Sequence, residues 1–228
     1  MNQEPKIVYC SGPLFSPEER AAMESIALTL RRAGFGVFVP HQDGLEALVM
    51  RFANDPLARH KAAKSVNRFV HRAIFALDIY QIVERCRFLV FNMNGRVPDE
   101  GAVAETAVAF AAGKPLVIYK EDHRTEFNGS DNSMITGLSY TFATVSRIPD
   151  IPAELLRVEE KLAALGPSPY QGGNIPPHMR GVLDFGRKVW RVLSSVRPGG
   201  ASPEEGMEKL AEVSDLAGRF SQLAPTTA

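Results

Sequence analysis

The sequence predicts an α/β fold in which helices cover both faces of an open, doubly wound parallel sheet, with a helical extension at its C-terminal end. Three observations lead there. The runs Arg87 to Asn92 and Pro115 to Tyr119 read as buried strands, and the alanine-rich segment between them ends at Gly113-Lys114, giving a strand-helix-strand unit. Lys6 to Cys10 and Gly36 to Pro40 frame a second such unit around a helix with clear start and stop signals. A length of 228 residues with 45% hydrophobic content fits one main domain and an appendage, expected as 1–148 and a helical extension 149–228.

Charge narrows the partners. The 26 basic and 26 acidic residues balance, which argues against an extended nucleic-acid surface or an anionic membrane as the main partner. No run has the length to span a bilayer, and the first residues lack the apolar core of a signal peptide, so a cytoplasmic location is expected. Cys10 and Cys86 both fall in apolar, strand-like settings, where reduced core thiols are expected in preference to a disulfide or a metal pair.

Along the chain, Lys6 to Cys10 is the first strand and Ser11-Gly12-Pro13-Leu14-Phe15 the turn after it. Ser16 then supplies an N-cap, Pro17 the first helical position and Glu19 a capping box, and the helix runs to about Arg32 before Gly34 stops it. The second strand, Gly36 to Pro40, leads into a loop of His41 to Gly44 that opens toward the carboxyl ends of the strands. From Leu45 to about Cys86 the pattern is helical, broken near Asn54-Asp55-Pro56. Lys61, Lys64, Arg68 and Arg72 form a solvated face of it, and Asp78 stands among Leu77, Ile79, Ile82 and Val83.

Past the strand Pro115 to Tyr119, the polar segment Glu121 to Asn132 is a long loop, a kind that tends to be functional or mobile. Phe142 to Val145 is expected as a fifth strand. Ala153 to Leu165 and Met179 to Val196 read as helices joined by a Pro/Gly-rich connection. Arg197 to Ala201 reads as a hinge, and Ser202-Pro203-Glu204-Glu205 opens a last amphipathic helix.

Between the third and fourth strands lies the stretch around which the rest is organised, Val97-Pro98-Asp99-Glu100-Gly101-Ala102-Val103-Ala104-Glu105-Thr106-Ala107. Asp99 precedes the helical pattern and can accept backbone N–H groups of the first turn, while Gly113 ends it. Glu105 is the odd residue, a carboxylate among small apolar side chains that let a backbone or a ligand come close. Asp99 and Glu105 can both face the crevice at the carboxyl ends of the strands, although an exposed helix glutamate is the ordinary alternative.

This stretch resembles the Asp-x-Gly-(three residues)-Glu signature of nucleoside 2-deoxyribosyltransferases, and the strand and turn around Tyr9, Ser11 and Gly12 resemble the N-terminal signature of the same family. The resemblance covers roughly residues 5 to 145. It implies a flavodoxin-like, Rossmann-like sheet of five parallel strands in the order 2-1-3-4-5. It also implies Glu105 as nucleophile, Tyr9 as the hydroxyl that contacts it, and Asp78, 21 positions before Asp99, near the nucleobase. Asp99, Asn132, Ser11, Gly12, Gly101 and His41 would bind substrate, with Asn132 reaching into the neighbouring subunit's site. Each has a plainer reading: a packing tyrosine at Tyr9, an exposed helix carboxylate at Asp78, a solvated loop residue at His41 or Asn132.

Two departures are visible: the family's glycine after the helix glutamate is Ala107 here, and the helices after residue 148 have no counterpart in its short members. No C-terminal site residue is carried over. The activity implied is transfer of 2-deoxyribose between nucleobases through a covalent glycosyl-glutamate with retention, needing no metal and no organic cofactor. The implied partners are nucleosides and nucleobases, with no nucleic-acid polymer and no membrane, in a homodimer or larger homo-oligomer. The related alternative is a hydrolase of deoxynucleoside 5′-monophosphates, a branch with serine where Asp99 stands. A non-catalytic nucleotide-sensing module is the alternative from another class.

Overall fold

A computed structural model describes residues 5–53, 66–95, 97–123, 131–166, 170, 174–196 and 202–220. The expected break at Asn54 to Pro56, the positions of Lys61 and Lys64, the middle of the polar loop and the hinge at 197–201 lie outside the described residues. In chain order the elements are β1 (Ile7–Ser11), α1 (Pro17–Arg32), β2 (Gly36–Phe38), α2 (Pro40–Asp43), α3 (Leu45–Ala53), α4 (Val66–Tyr80), β3 (Phe88–Asn92), α5 (Glu100–Ala111), β4 (Leu116–Tyr119), α6 (Ser133–Thr136), α7 (Ile151–Ala163), α8 (Pro177–Ser194) and α9 (Pro203–Gly218). Contacts group the chain into two compact units, one made of Met1–Val39 and Ile82–Asn174, the other of Pro40–Gln81 and Ile175–Ala228. These units interleave in sequence. A boundary between folding domains at residue 148 stays a proposal.

The first unit is built on a parallel sheet in the order β2-β1-β3-β4, with Tyr9 opposite Phe38 on one side and Leu89 on the other. Side chains alternate across a strand, so the two faces of β1 carry different residues. Val8 and Cys10 join Phe88, Val90, Val117 and Tyr119 beneath Met23, Ile26 and Leu30 of α1 and Ile151 and Leu155 of α7, a continuous core. Each fully buried leucine or isoleucine there contributes about 1.5–3 kcal/mol of apolar transfer. The other face of β1 presents Tyr9 and Ser11, and α5 crosses that side with Ala102, Thr106 and Ala109 buried. Cys10 and Cys86 are buried and neither forms a disulfide.

Local chemistry sets the boundaries. The Ser16 hydroxyl accepts from Glu19 N at 3.1 Å and the Glu19 carboxylate accepts from Ser16 N at 2.8 Å, the reciprocal cap expected for α1. After β2, the segment expected as a loop is instead the short helix α2. Pro40 holds φ in the helical range, and Gly44 N donates to its carbonyl at 2.9 Å, so His41 sits on a helical turn.

Among the described residues the sheet has four strands where five are expected. At the expected fifth position a single parallel bridge joins Val145 to Tyr119, with Val145 N donating to Ile118 O and Lys120 N to Val145 O, both at 2.8 Å. Tyr140 and Phe142 take φ of 64° and 57°. Positive φ is incompatible with extended backbone, so the apolar run bends away before it can pair.

The second unit is helical: α4 is packed by α8 and α9, and α3 lies against α4. Phe185 stacks on Phe220 with ring centroids 4.4 Å apart. Ser202 and Glu205 form the capping box of α9. Gly186 marks a close approach of α8 to α4, because a Cβ there would lie 2.0 Å from Ala76 O and 2.6 Å from Tyr80 Cβ. Gly186→Ala must therefore separate the two helices, and overpacking of this kind typically costs about 1–3 kcal/mol. Thermal melting should show the loss; an unchanged midpoint would mean that the helices part without cost.

Candidate active site

Period two along β1 puts Tyr9 and Ser11 on the face that α5 covers, and the helical period puts Ala102, Glu105, Thr106 and Ala109 on the side of α5 turned toward it. The small residues let the helix backbone approach the sheet. Of those four helix residues, Glu105 has the long side chain. The Tyr9 hydroxyl donates to Glu105 Oε1 at 2.8 Å and the Ser11 hydroxyl donates to Oε2 at 2.5 Å. Both oxygens of one carboxylate are thus held by hydroxyls of a single strand. Tyr9 and Ser11 are fully buried and Glu105 is half-buried.

Burial pushes the Glu105 carboxyl up to about 7; the Ser11 and Tyr9 hydrogen bonds pull it down and the charge of Asp99 adds to the rise. Desolvation disfavours the ionised form, while hydroxyl donors favour it. At neutral pH this group is poised between carboxylate and carboxylic acid. The tyrosine is itself fixed, stacked on Phe38 with ring centroids 5.4 Å apart.

Asp99 is the N-cap of α5, its Oδ2 accepting from Ala102 N at 2.8 Å. Gly101 is exposed beside it, and a Cβ there would lie 3.3 Å from Asp99 Oδ2. Gly12 is buried at the turn after β1, where a Cβ would come within 2.8 Å of both Asn92 Cβ and Met23 Sδ. Glycine at position 12 is thus required by packing, whatever else it does. Asn132 caps α6, its Oδ1 accepting from Met134 N at 2.9 Å. Next to it Asp131 pairs with the nearly buried Lys120 at the end of β4.

The structure therefore brings Tyr9, Ser11 and Glu105 into direct contact, with Asp99 close enough for its charge to act on Glu105. Asn132 makes its described hydrogen bonds within its own turn. Asp78 lies half-buried on α4 and His41 on α2, both in the second compact unit.

Two asparagines, one in a loop and one at the end of β3, escape notice in the sequence. Asn94 Oδ1 accepts from Glu121 N and Asp122 N, each at 2.9 Å, tying the loop after β3 to the loop after β4. Asn92 Oδ1 accepts from Asn94 N at 3.2 Å. The available signal is an asparagine closing an otherwise apolar strand. Phe15, Val97 and Met134, in segments that follow β1, β3 and β4, are exposed apolar side chains. Among the described residues, no group of three or more His, Cys, Asp or Glu is placed to hold a metal ion.

A carboxyl whose folded value is raised contributes stability below its ordinary value of 4.5, and that contribution is lost as pH rises through about 7. Glu105→Gln removes the ionisable group. The variant should melt higher than wild type at pH 8, by an amount on the order of 2 kcal/mol after allowing for solvent screening, and the gap should close below pH 4.5. Melting curves across that range test it, and a gap independent of pH would contradict the burial of a titrating Glu105.

Among known proteins, the sequence family described as nucleoside 2-deoxyribosyltransferase matches residues 8–137. Among solved structures, a conserved protein from Enterococcus faecalis V583 superposes with a TM-score of 0.50 at 20% identity, covering 68% of this chain and 99% of its own. At that identity the likeness shows the fold alone. No curated protein matches the chain. No helix among the described residues is long and apolar enough to cross a membrane.

Proposed function

From the premise that the chain belongs to the nucleoside 2-deoxyribosyltransferase family, we propose that it transfers 2-deoxyribose between nucleobases, with Glu105 as the nucleophile. The observation that carries the reading is the carboxylate clasped by Tyr9 and Ser11. A nucleophile needs a defined orientation and a pKa near the working pH, and both hydroxyls serve both needs.

In the proposed reaction a Glu105 oxygen bonds to C1′ as the C1′–N bond breaks and its electron pair leaves with the base nitrogen, which takes up a proton. The transition state is oxocarbenium-like, and the adjacent carboxylate stabilises its charge. A second base then attacks C1′ from the vacated face through a ring nitrogen that gives up its proton, balancing the one the first base took, as the ester bond breaks and the carboxylate returns. Two inversions give net retention. Asp99, and Asn132 from a neighbouring subunit of a homo-oligomer, are proposed to hold sugar hydroxyls, and Asp78 and His41 to act at the base. No cofactor enters these steps.

Asp99 favours free nucleosides over 5′-monophosphates, because a second carboxylate beside Glu105 would meet a phosphate with like charge. The hydrolase reading would need that repulsion to be overcome. The sensing reading is disfavoured by the joint presence of Tyr9, Ser11, Asp99 and Glu105 in one hydrogen-bonded and electrostatic unit.

Incubation with a deoxynucleoside and a second free base should give a new deoxynucleoside; release of free deoxyribose alone would favour hydrolysis. Glu105→Ala should lower turnover by several orders of magnitude, and Tyr9→Phe by about ten- to a hundredfold. Ser11→Ala should cost about tenfold and move the acid limb of kcat/KM above its wild-type position near pH 7, because it removes a donor that favours the ionised form. Near-normal turnover by Glu105→Ala would end the reading.

Asp99→Ser keeps a side-chain cap for α5 while removing the charge. It should lower use of free deoxynucleosides and improve use of 5′-monophosphates, read as the ratio of the two kcat/KM values. A wild type that already prefers the monophosphate would contradict the role given to Asp99.

A further inference from the structure

A cavity of about 320 Å3 opens at the end of the strands opposite Ser11 and Asp99, and its walls include Val83, Arg87, Lys114, Pro115, Glu159 and Leu162. Arg87 and Pro115 immediately precede β3 and β4, Lys114 follows the end of α5, and Glu159 and Leu162 belong to α7. This volume lies within the range of small-molecule sites. None of these residues takes part in the chemistry proposed for Glu105.

The charges on its walls are unevenly matched. Glu159 is already shared, accepting from Lys6 Nζ at 2.7 Å and from Arg87 Nε at 2.9 Å. Lys114 Nζ donates to the backbone carbonyl of Cys86 at 2.9 Å, a neutral acceptor. Burial lowers the Lys114 pKa, Arg87 lowers it further, and Cys86 and Glu84 act in the opposite direction. Two cations, Arg87 and Lys114, thus line the cavity beside one carboxylate, Glu159, which Lys6 from outside the lining also engages. A partly desolvated ammonium facing a guanidinium is stabilised by an anion placed between them. Val83, Pro115 and Leu162 add an apolar wall beside the charged groups.

We propose that this cavity binds a small organic anion, a carboxylate or a phosphate ester, with its charged group between Lys114 and Arg87 and its carbon skeleton on Val83, Pro115 and Leu162. The occupant would grip the turn that ends α5, the helix that carries Glu105 nearer its other end. Such a site could be filled without any contact with the candidate active site.

The test uses the full chain and two probes, sodium phosphate and sodium benzoate, against sodium chloride at matched ionic strength. At tens of millimolar, at least one should raise the melting temperature by roughly 2–4 °C. Lys114→Met should abolish the shift. Leu162→Glu, which leaves the Lys114 bond to Cys86 in place and sets a charge that repels an anion on the lining, should abolish it too, so a failure of the first variant to fold does not remove the test. Glu105→Gln should retain the shift. No shift with either anion, or an undiminished shift in the folded Lys114 or Leu162 variant, would overturn the proposal.

Discussion

The double hydrogen bond from β1 to Glu105 is the constraint on which the first unit turns. It requires α5 to lie close enough to the sheet for one carboxylate to reach two hydroxyls of the same strand, and that closeness is possible only because Ala102 and Ala109 flank Glu105 on the buried side. It also requires β1 to be central. In the order β2-β1-β3-β4 the strand has neighbours on both sides, so Tyr9 is held by the ladder and by stacking on Phe38. Carboxylate burial of this kind costs stability when the group is ionised, and strain kept at a site is commonly a sign of use.

Much of this was legible in the sequence, for reasons that can be named. Alternation of short apolar runs with a capped amphipathic helix gives the parallel sheet, and Ser16-Pro17 with Glu19 marks the start of α1 to the residue. The cap at Asp99 follows from its place before an alanine-rich helix. What escaped the sequence depends on backbone geometry or on tertiary contact. Phe142 to Val145 has the composition of a strand, yet positive φ at Tyr140 and Phe142 reduces it to one bridge. Pro40 reads as a strand end, yet its fixed φ opens a helical turn through His41. The Ser11 contact with Glu105 is a matter of register, visible only once β1 and α5 are known to face each other. Asn94, which ties two loops together through backbone donors, has no signal in its own neighbourhood.

Helix α5 gives the first unit a polarity. One end carries the capping carboxylate of Asp99 and, within two turns, Glu105; the other ends in the Gly113-Lys114 turn beside a basic cavity. Gly113 takes φ of 65°, a conformation that frees the chain to leave the helix and enter β4. Placement of a carboxylate near the helix N-terminus and a lysine at its C-terminus agrees with the helix dipole at both ends. The demands of the candidate site and of packing on α5 therefore fall on different residues along one short element.

The central claim, that Glu105 bonds covalently to the sugar, is tested most directly by trapping. A 2-fluoro-deoxynucleoside slows release of the glycosyl group, so the protein should gain the mass of one fluorodeoxyribosyl unit, and peptide mapping should place it on Glu105. No adduct on the wild-type protein under turnover conditions, or an adduct on another residue that persists in Glu105→Ala, would contradict it.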